Sequence, residues 1–433
     1  MATPMLIAQL LNLLYNIVDR IYIGKIPGEG TLALASIGLC FPFVTLITAF
    51  ANLFGLGGAP LCAMARGKGN REGAQGIMVN AGFMLLLSGA VLTVLGIAFH
   101  RPLLYLFGAS EVTYPYASSY IVIYLIGTLC VMLSLGLNPY INCQGFARTG
   151  MLTVALGAAA NIVLDPIFIF ALHLGVRGAA IATVLSQFLS AAWVVKFLTG
   201  KKAELKLDFR GFRPDCQCIQ RITVLGIASF VMSFTDTLVQ VACNATLRNF
   251  GGDLYISVMT VLNSVRQIAQ TPVLAIADGA STAISYNYGA GLYKRTRDAI
   301  RFMTQIAIGY TMLVWMLVSL FPALFIRIFN QDAELVAAAV PALHIYFFGF
   351  VMMAFQYAGQ STFRALGRAK YAVFFSLLRK AFIVVPLTLL LPYCWNLGVS
   401  GVFAAEPVSN CIGGLACYFT MRHVVMPELK MEN

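Results

Sequence analysis

The decisive stretch of this chain is Asn161-Ile162-Val163-Leu164-Asp165-Pro166-Ile167-Phe168-Ile169-Phe170, an apolar segment that carries one amide, one carboxylate and one proline. A carboxylate near the middle of a membrane span is costly unless it faces a protein interior or a water-filled cavity. Asn161 precedes Asp165 by four residues, so a helix places both side chains on one face, one turn apart. Pro166 removes a backbone donor and frees a carbonyl one turn back. The stretch therefore predicts a polar, kinked point in a span, suited to a hard cation or a proton.

The composition indicates that this segment lies in a membrane. Of the 433 residues, 59% are hydrophobic and only 11% are charged, whereas soluble proteins average about 25% charged residues. Since a span needs roughly 20 to 25 apolar residues, the chain has room for about twelve spans. We predict them at 4–24, 31–65, 74–99, 114–142, 151–172, 177–198, 219–248, 254–287, 299–326, 334–363, 371–392 and 398–421. Several are longer than a bilayer requires, so tilt, kinks at Pro42, Pro139 and Pro272, or helix that extends beyond the bilayer must absorb the excess.

Lysine and arginine are distributed unevenly between the predicted loops. The loops after spans two, four, six, eight and ten hold eighteen of these residues, and the other loops hold five. Because cytoplasmic loops carry the excess, we expect the even-numbered loops and both termini in the cytoplasm. The net charge of +12 is then a topology signal, and we expect no nucleic-acid partner, because the basic residues do not cluster with exposed aromatic residues.

The two halves of the chain repeat each other. Four pairs of motifs recur in the same order at nearly constant spacing: Asp19 and Asp236 (217 positions), Gly67-x-Gly69 and Gly289-x-Gly291 (222), Phe146-x-x-x-Gly150 and Phe363-x-x-x-Gly367 (217), and Leu174-Gly175-Val176-x-Gly178 and Leu397-Gly398-Val399-x-Gly401 (223). Each half has an even number of spans, so the repeats insert in the same orientation. We predict an all-α polytopic membrane protein, with twelve transmembrane helices in two pseudo-symmetric six-helix bundles that flank a central cavity, as in a carrier.

This repeat also predicts the domain organisation. The N-lobe comprises residues 1–199 with spans one to six, and the C-lobe comprises residues 219–433 with spans seven to twelve. The longest hydrophilic stretch lies between them, at the middle of the chain. We therefore interpret residues 200–218 as a cytoplasmic linker.

Polar side chains form stripes at helical spacing on several spans. They are expensive on a lipid-facing surface, so we predict that they line the bundle interior or the central cavity: Tyr15, Asn16 and Asp19 in span one, Asp236 and Gln240 in span seven, and Asn263, Arg266 and Gln267 in span eight. Span ten instead offers an apolar surface with few polar points, which includes Met353 and Gln356 and suits flat, apolar ligands or ordinary core packing. Asp19 suggests an ion or proton site. The alternative for each stripe is a buried network that only joins neighbouring helices.

The sequence carries no signature of catalysis. We find no His-Glu-x-x-His motif, no nucleophile elbow and no phosphate-binding loop. We therefore expect no enzymatic activity and no cofactor. An ion gradient, rather than ATP, is the expected energy source.

Several motifs together resemble the multidrug and toxic compound extrusion (MATE) family, and within it the bacterial branch of MepA-type exporters. They are Tyr15 to Gly24, Gln144 to Gly150, Asn161 to Phe170 and Tyr286 to Ala290. The resemblance implies the MATE/MOP-type fold. It also implies antiport of H⁺ or Na⁺ against drug-like, often cationic compounds by alternating access, in a monomer that resides in the bacterial cytoplasmic membrane and confers antibiotic resistance.

The resemblance also implies which residues bind the coupling cation. In the N-lobe these are Asp19, Asn161, Asp165, Thr183 and Tyr120. One branch also uses carboxylates in spans seven and ten for Na⁺, but here span seven has no glutamate and that part of span ten has only glutamines, so we do not transfer that site. An alternative within the same superfamily is a flippase for lipid-linked precursors, whose pyrophosphate headgroup Arg266, Arg379 and Lys380 would bind.

Overall fold

The structure is a computed structural model of the chain. It describes residues 7–431 except 9, 13, 16–17, 20–21, 24–25, 27–29, 108, 110 and 330–332; it describes the backbone alone at 30–32, 34–35, 232, 236–238, 240–241, 244–245, 248, 252–253, 256–257, 395–396 and 430–431. Asn16 and the side chains of Asp236 and Gln240, which we predicted to line the cavity, lie outside this description. Over the described residues all regular secondary structure is helical.

The first half of the chain forms a bundle of long helices. The described residues between 7 and 23 are helical. The helices that follow are α1 (Gly30–Gly67), α2 (Arg71–Leu106), α3 (Tyr114–Ile126), α4 (Thr128–Cys143), α5 (Ala147–Pro166), which continues as a π-helix (Ile167–Ala171), and α6 (Gly175–Thr199). Helices α3 and α4 form one broken span, bent by 55° at Gly127.

The second half repeats this pattern. Its elements are α7 (Cys216–Gly289), α8 (Tyr293–Leu320), the short α9 (Pro322–Arg327), α10 (Ala333–Phe347), α11 (Met352–Ala365), α12 (Ala369–Leu377), a π-helix (Leu378–Val384), α13 (Val385–Leu390), a 3₁₀ turn (Leu391–Asn396) and α14 (Val399–Met431). Helices α10 and α11 again form one broken span, with a bend of 49°.

Helix α7 contains two spans although it is helical over 74 residues. The Arg364 side chain contacts both Ser229 Oγ (3.4 Å) and Asp278 Oδ1 (3.7 Å). A straight helix would separate two residues about 50 positions apart by roughly 75 Å. The chain therefore reverses direction between Ser229 and Asp278, and the two limbs correspond to the predicted spans 219–248 and 254–287.

The spans of the described part agree with the prediction of twelve. Seven helices there are long and apolar enough to cross a membrane, and the two bent pairs pass the same test together. The helical residues within 7–23, the second limb of α7, and α14 complete the set. The two bends occur at Gly127 and around Gly349, and the kinks at Pro42, Pro139 and Pro272 stay predictions. A glycine inside a helix also permits a sharp bend, and the sequence does not say which glycine does so.

The chain divides into two compact units between Gly226 and Ile227, and the predicted lobe boundaries remain predictions. The repeat is visible in the backbone of both units. Three pairs of glycines with positive φ stand in repeat-related positions: Gly69 and Gly291, Gly145 and Gly367, and Gly175 and Gly398. In each half the fourth span is broken and the fifth contains the π-helix. The two units therefore share one scaffold.

Helices in each unit approach closely at glycine. A Cβ on Gly55 of α1 would lie 2.8 Å from the Gly136 carbonyl oxygen of α4, and one on Gly414 of α14 would lie 2.6 Å from the Met352 carbonyl oxygen of α11. Membrane helices associate through such close van der Waals packing, because lipid tails are as apolar as the helix surface. These contacts fix the spans that carry the polar residues.

The hydrophilic segment before α7 packs against the first unit. Ala203, Leu205 and Leu207 are buried, and the residues that alternate with them are exposed. The Leu205 amide donates to Gln144 Oε1 at 2.9 Å, and Arg66 forms an ion pair with the Glu204 carboxylate. The segment 200–215 is therefore held against the first unit, and we call it the strap.

Candidate functional site

The Asn161–Asp165 pair forms as the sequence predicts. Asn161 Nδ2 donates a hydrogen bond to Asp165 Oδ1 at 3.1 Å, and both residues are almost fully buried (1% and 0% exposed). Asp165 stands at the end of α5, next to Pro166 and the start of the π-helix. Widened turns of this kind occur often at functional sites. The backbone irregularity and the polar pair thus coincide.

Three buried oxygens of this region accept or donate no hydrogen bond: Asn161 Oδ1, Asp165 Oδ2 and Thr183 Oγ1. A buried polar atom without a partner costs about 1–3 kcal/mol. Thr183 lies on α6, which packs against α5 and its π-helix. The approach is close, since a Cβ on Gly178 would lie 2.5 Å from the Phe168 carbonyl oxygen. Carboxylate, amide and hydroxyl oxygens are the ligand atoms that hard cations prefer, and a carboxylate can also accept a proton.

Span one brings a second carboxyl group to the pair. The Asp19 carboxyl lies within hydrogen-bond reach of the Asp165 carboxyl. Two ionised carboxylates are both acceptors and repel each other, so a proton or a cation between them stabilises this arrangement. Tyr15 lies within electrostatic range of both carboxyls, and Tyr120, which stacks on Tyr124 with centroids 6.2 Å apart, lies within range of Asp19. The structure thus places Asp19, Asn161, Asp165 and Tyr120 in one region of the N-lobe.

The predicted cavity residues of the C-lobe fall into two groups. Tyr346 OH donates to Asn263 Oδ1 at 2.9 Å and accepts from Arg266 Nη1 at 2.8 Å. Gln267, on the same limb of α7, is exposed. Met353 and Gln356 are buried inside the bundle, where Met353 belongs to the hydrophobic core. Ligand contact by these two residues stays a prediction.

A cluster of buried charges surrounds Glu406, and we call it the Glu406 cluster. Three cations approach the same carboxylate oxygen, Glu406 Oε1: Arg266 Nη1 at 2.8 Å, Arg379 Nη1 at 3.2 Å and Lys380 Nζ at 3.4 Å. Arg379 also donates to Asn410 Oδ1 at 2.6 Å. Consecutive residues on an α-helix point about 100° apart, and the π-helix Leu378–Val384 allows Arg379 and Lys380 to converge.

The sequence predicted only part of this cluster. It identified Arg266 as a cavity residue and gave Arg379 and Lys380 a role only in the flippase alternative, but it gave Glu406 no role. The available signal was the presence of both charge signs within spans eleven and twelve, because ionised groups at membrane depth pair with one another. In the described part of both lobes the fifth span carries charge of opposite sign, Asp165 in the first and Arg379 with Lys380 in the second.

Comparison with known proteins identifies the family. A family model described as MatE matches residues 4–167 and 228–390, one match in each lobe. The chain belongs to the MatE family. It is similar to the multidrug export protein MepA of Staphylococcus haemolyticus, with 24% identity over 96% of this chain and 90% of that protein. It is also similar to an FAD transporter of Shewanella oneidensis, with 25% identity over 99% and 94%.

Solved structures of family members share the fold. A MATE crystal structure in the bent conformation aligns with a TM-score of 0.93 and 24% identity, and covers 100% of this chain and 95% of that chain. A MOP superfamily transporter from Pyrococcus furiosus gives the same TM-score and identity, with coverage of 99% and 95%. The prediction of twelve helices in two pseudo-symmetric lobes is confirmed. The protein is a multi-pass membrane protein of a transporter family.

Proposed function

We propose that this MatE family member is a cation-coupled antiporter that exports amphipathic small molecules by alternating access. The observation that carries the proposal is the Asn161–Asp165 pair with its unpartnered oxygens, next to the Asp19 carboxyl. The MepA relative, whose name describes multidrug export, supports drug-like compounds as substrates, and the resemblance of the motifs to the family adds that these compounds are often cationic.

The geometry supports a coupling role for the N-lobe pair. Cation binding between Asp19 and Asp165 removes the repulsion of two buried carboxylates, so it stabilises the arrangement in which they are close. A substrate that binds better to the other arrangement is then released when the cation binds, because each ligand shifts the equilibrium by its differential affinity. Export follows if the cation binds from outside and the substrate from the cytoplasm.

We infer H⁺ as the coupling ion. Two carboxyl groups within hydrogen-bond reach of each other hold one proton between them without further ligands. Na⁺ would need additional oxygens, which Asn161 Oδ1 and Thr183 Oγ1 provide if they reach it. Proteoliposomes that receive either a pH gradient or a Na⁺ gradient, one at a time, separate the two ions: efflux driven by the Na⁺ gradient alone contradicts H⁺ coupling.

Asp165→Asn tests the coupling site. The carboxamide keeps the size of the side chain but can neither hold a proton nor carry the charge that binds a cation. Gradient-driven transport of ethidium into everted vesicles, whose cytoplasmic face is outside, should therefore fall to background. Asp208→Asn is the matched control, because Asp208 is an exposed carboxylate on the strap and this variant should transport at the wild-type rate. If Asp165→Asn transports ethidium at the wild-type rate, Asp165 takes no part in coupling.

A further inference from the structure

We propose that Arg266 binds the carboxylate or phosphate group of an amphipathic substrate within the C-lobe. The inference rests on the proposed export function and specifies one chemical class of substrate. Nothing in the N-lobe pair recognises an anion, since its described ionisable groups, Asp19 and Asp165, are acidic. The Glu406 cluster, by contrast, has three cations and one carboxylate, so it is positively charged.

The first argument is that Arg266 differs in access from the other cations of the cluster. Its side chain is 15% exposed, whereas those of Arg379 and Lys380 are 3% and 2% exposed. A charged side chain at membrane depth avoids lipid and faces protein or a water-filled space. Of the three cations, Arg266 therefore has the side chain most accessible to a substrate that enters from water, and Arg379 and Lys380 are almost fully enclosed.

The second argument is that Arg266 can exchange its partner without leaving a charge stranded. Glu406 keeps two ion pairs, to Arg379 and Lys380, when Arg266 turns to a ligand. The ligand's anion in turn replaces Glu406 as the partner of Arg266. Such an exchange avoids the large penalty of leaving a buried charge uncompensated.

The third argument is that the guanidinium is already oriented. It lies 5.8 Å from the centroid of the Tyr346 ring, donates to Tyr346 OH at 2.8 Å, and its Nε lies 3.4 Å from Gln270 Oε1. A planar guanidinium with several N–H donors matches the oxygens of a carboxylate or phosphate in a bidentate pair. Less side-chain freedom is then lost on binding than for an unsupported arginine.

A matched pair of fluorescent probes tests the inference: dansylglycine, which carries a carboxylate, and its neutral methyl ester. Binding is measured by dansyl fluorescence with the full-length protein in phosphatidylcholine nanodiscs. The wild type should bind dansylglycine at least about tenfold more tightly than the ester, since a hydrogen bond to a charged group contributes about 1.5–3 kcal/mol. Equal affinities in the wild type overturn the proposal without any variant.

The variants locate the site. Arg266→Gln should remove the preference for the carboxylate, and Arg266→Lys should retain part of it, because the lysine keeps the charge but not the bidentate geometry. Arg327→Gln is the control, an exposed arginine on α9 of the same lobe, and it should keep the full preference. Retention of the full preference by folded Arg266→Gln overturns the assignment to Arg266.

Two further arms identify the source of the anion and separate this inference from the export proposal. In nanodiscs that contain phosphatidylglycerol, weaker dansylglycine binding that depends on Arg266 indicates a lipid phosphate as the occupant, and unchanged binding indicates a soluble anion. Probe binding needs no gradient. Export can therefore fail in vesicles while the preference persists, and the preference can be absent in a functional exporter.

Discussion

At the scale of single residues, the two charged sites differ in how far they could be predicted. Asp165 is the only charged residue in its apolar run, and Asn161 lies one turn away. The local sequence alone therefore indicates both the free-energy cost of burying this carboxylate and its hydrogen-bond partner. The partners of Glu406 come from α7 and from the π-helix before α13. Such pairs depend on tertiary packing between distant segments. A single sequence does not contain that information.

Glu406→Gln should destabilise the C-lobe. The substitution removes the charge that Arg266, Arg379 and Lys380 share, and loss of one partner from a buried ion pair costs about 3–5 kcal/mol. Thermal unfolding in detergent should therefore occur at a clearly lower temperature than in the wild type. Asp298→Asn, an exposed carboxylate on α8, should leave the unfolding temperature unchanged.

A second substitution distinguishes charge from packing. In Glu406→Gln the buried cations have lost the negative charge that balanced them. Adding Lys380→Met removes one of these cations, so part of the lost stability should return. If the double variant unfolds at an even lower temperature than Glu406→Gln, then shape rather than charge dominates the cluster, and the ion-pair account is wrong.

At the scale of elements, the strap shows where composition misleads. Residues 200–218 are hydrophilic as a whole, which favoured a linker, yet every second residue from Ala203 to Leu207 is apolar. Alternation with a period of two is typical of an extended segment with one buried face. It is only three apolar residues long, too short to outweigh the lysines around it. The fixed position becomes clear only with the contacts to Gln144, Arg66 and Arg71.

Leu205→Ala should release this strap. Leu205 is 1% exposed, and truncation of a fully buried leucine costs about 2–5 kcal/mol. Because the strap is rich in lysine and arginine, trypsin added to everted vesicles should cleave the variant faster than the wild type between residues 200 and 215. Asp208→Ala, at an exposed position of the same strap, controls for the change in sequence. Equal cleavage rates for Leu205→Ala and the wild type would show that Leu205 does not anchor it.

At the scale of the whole molecule, the repeat predicts the scaffold but not its chemistry. The glycines with positive φ, the broken fourth spans and the π-helices recur in both lobes, because backbone geometry constrains glycine and small residues at fixed spacing. The Asp165 carboxylate does not recur, since the position 217 residues after it is Phe382. The two halves therefore share their backbone geometry but not the Asp165 carboxylate.

An antiporter must couple its two ligands negatively, and this coupling is measurable in the whole protein. Saturating the N-lobe site with its cation should weaken ethidium binding by roughly 5- to 150-fold, the range that 1–3 kcal/mol of coupling free energy gives. Ethidium affinity in nanodiscs, measured across pH at constant Na⁺ and across Na⁺ at constant pH and ionic strength, shows which ion acts. For H⁺ coupling, affinity should rise as pH rises, because the site then loses its proton.

Asp165→Asn should bind ethidium with an affinity that no longer depends on either ion. If ethidium affinity in the wild type is the same under all these conditions, the cation and the substrate are not coupled through binding, and antiport by this protein is excluded.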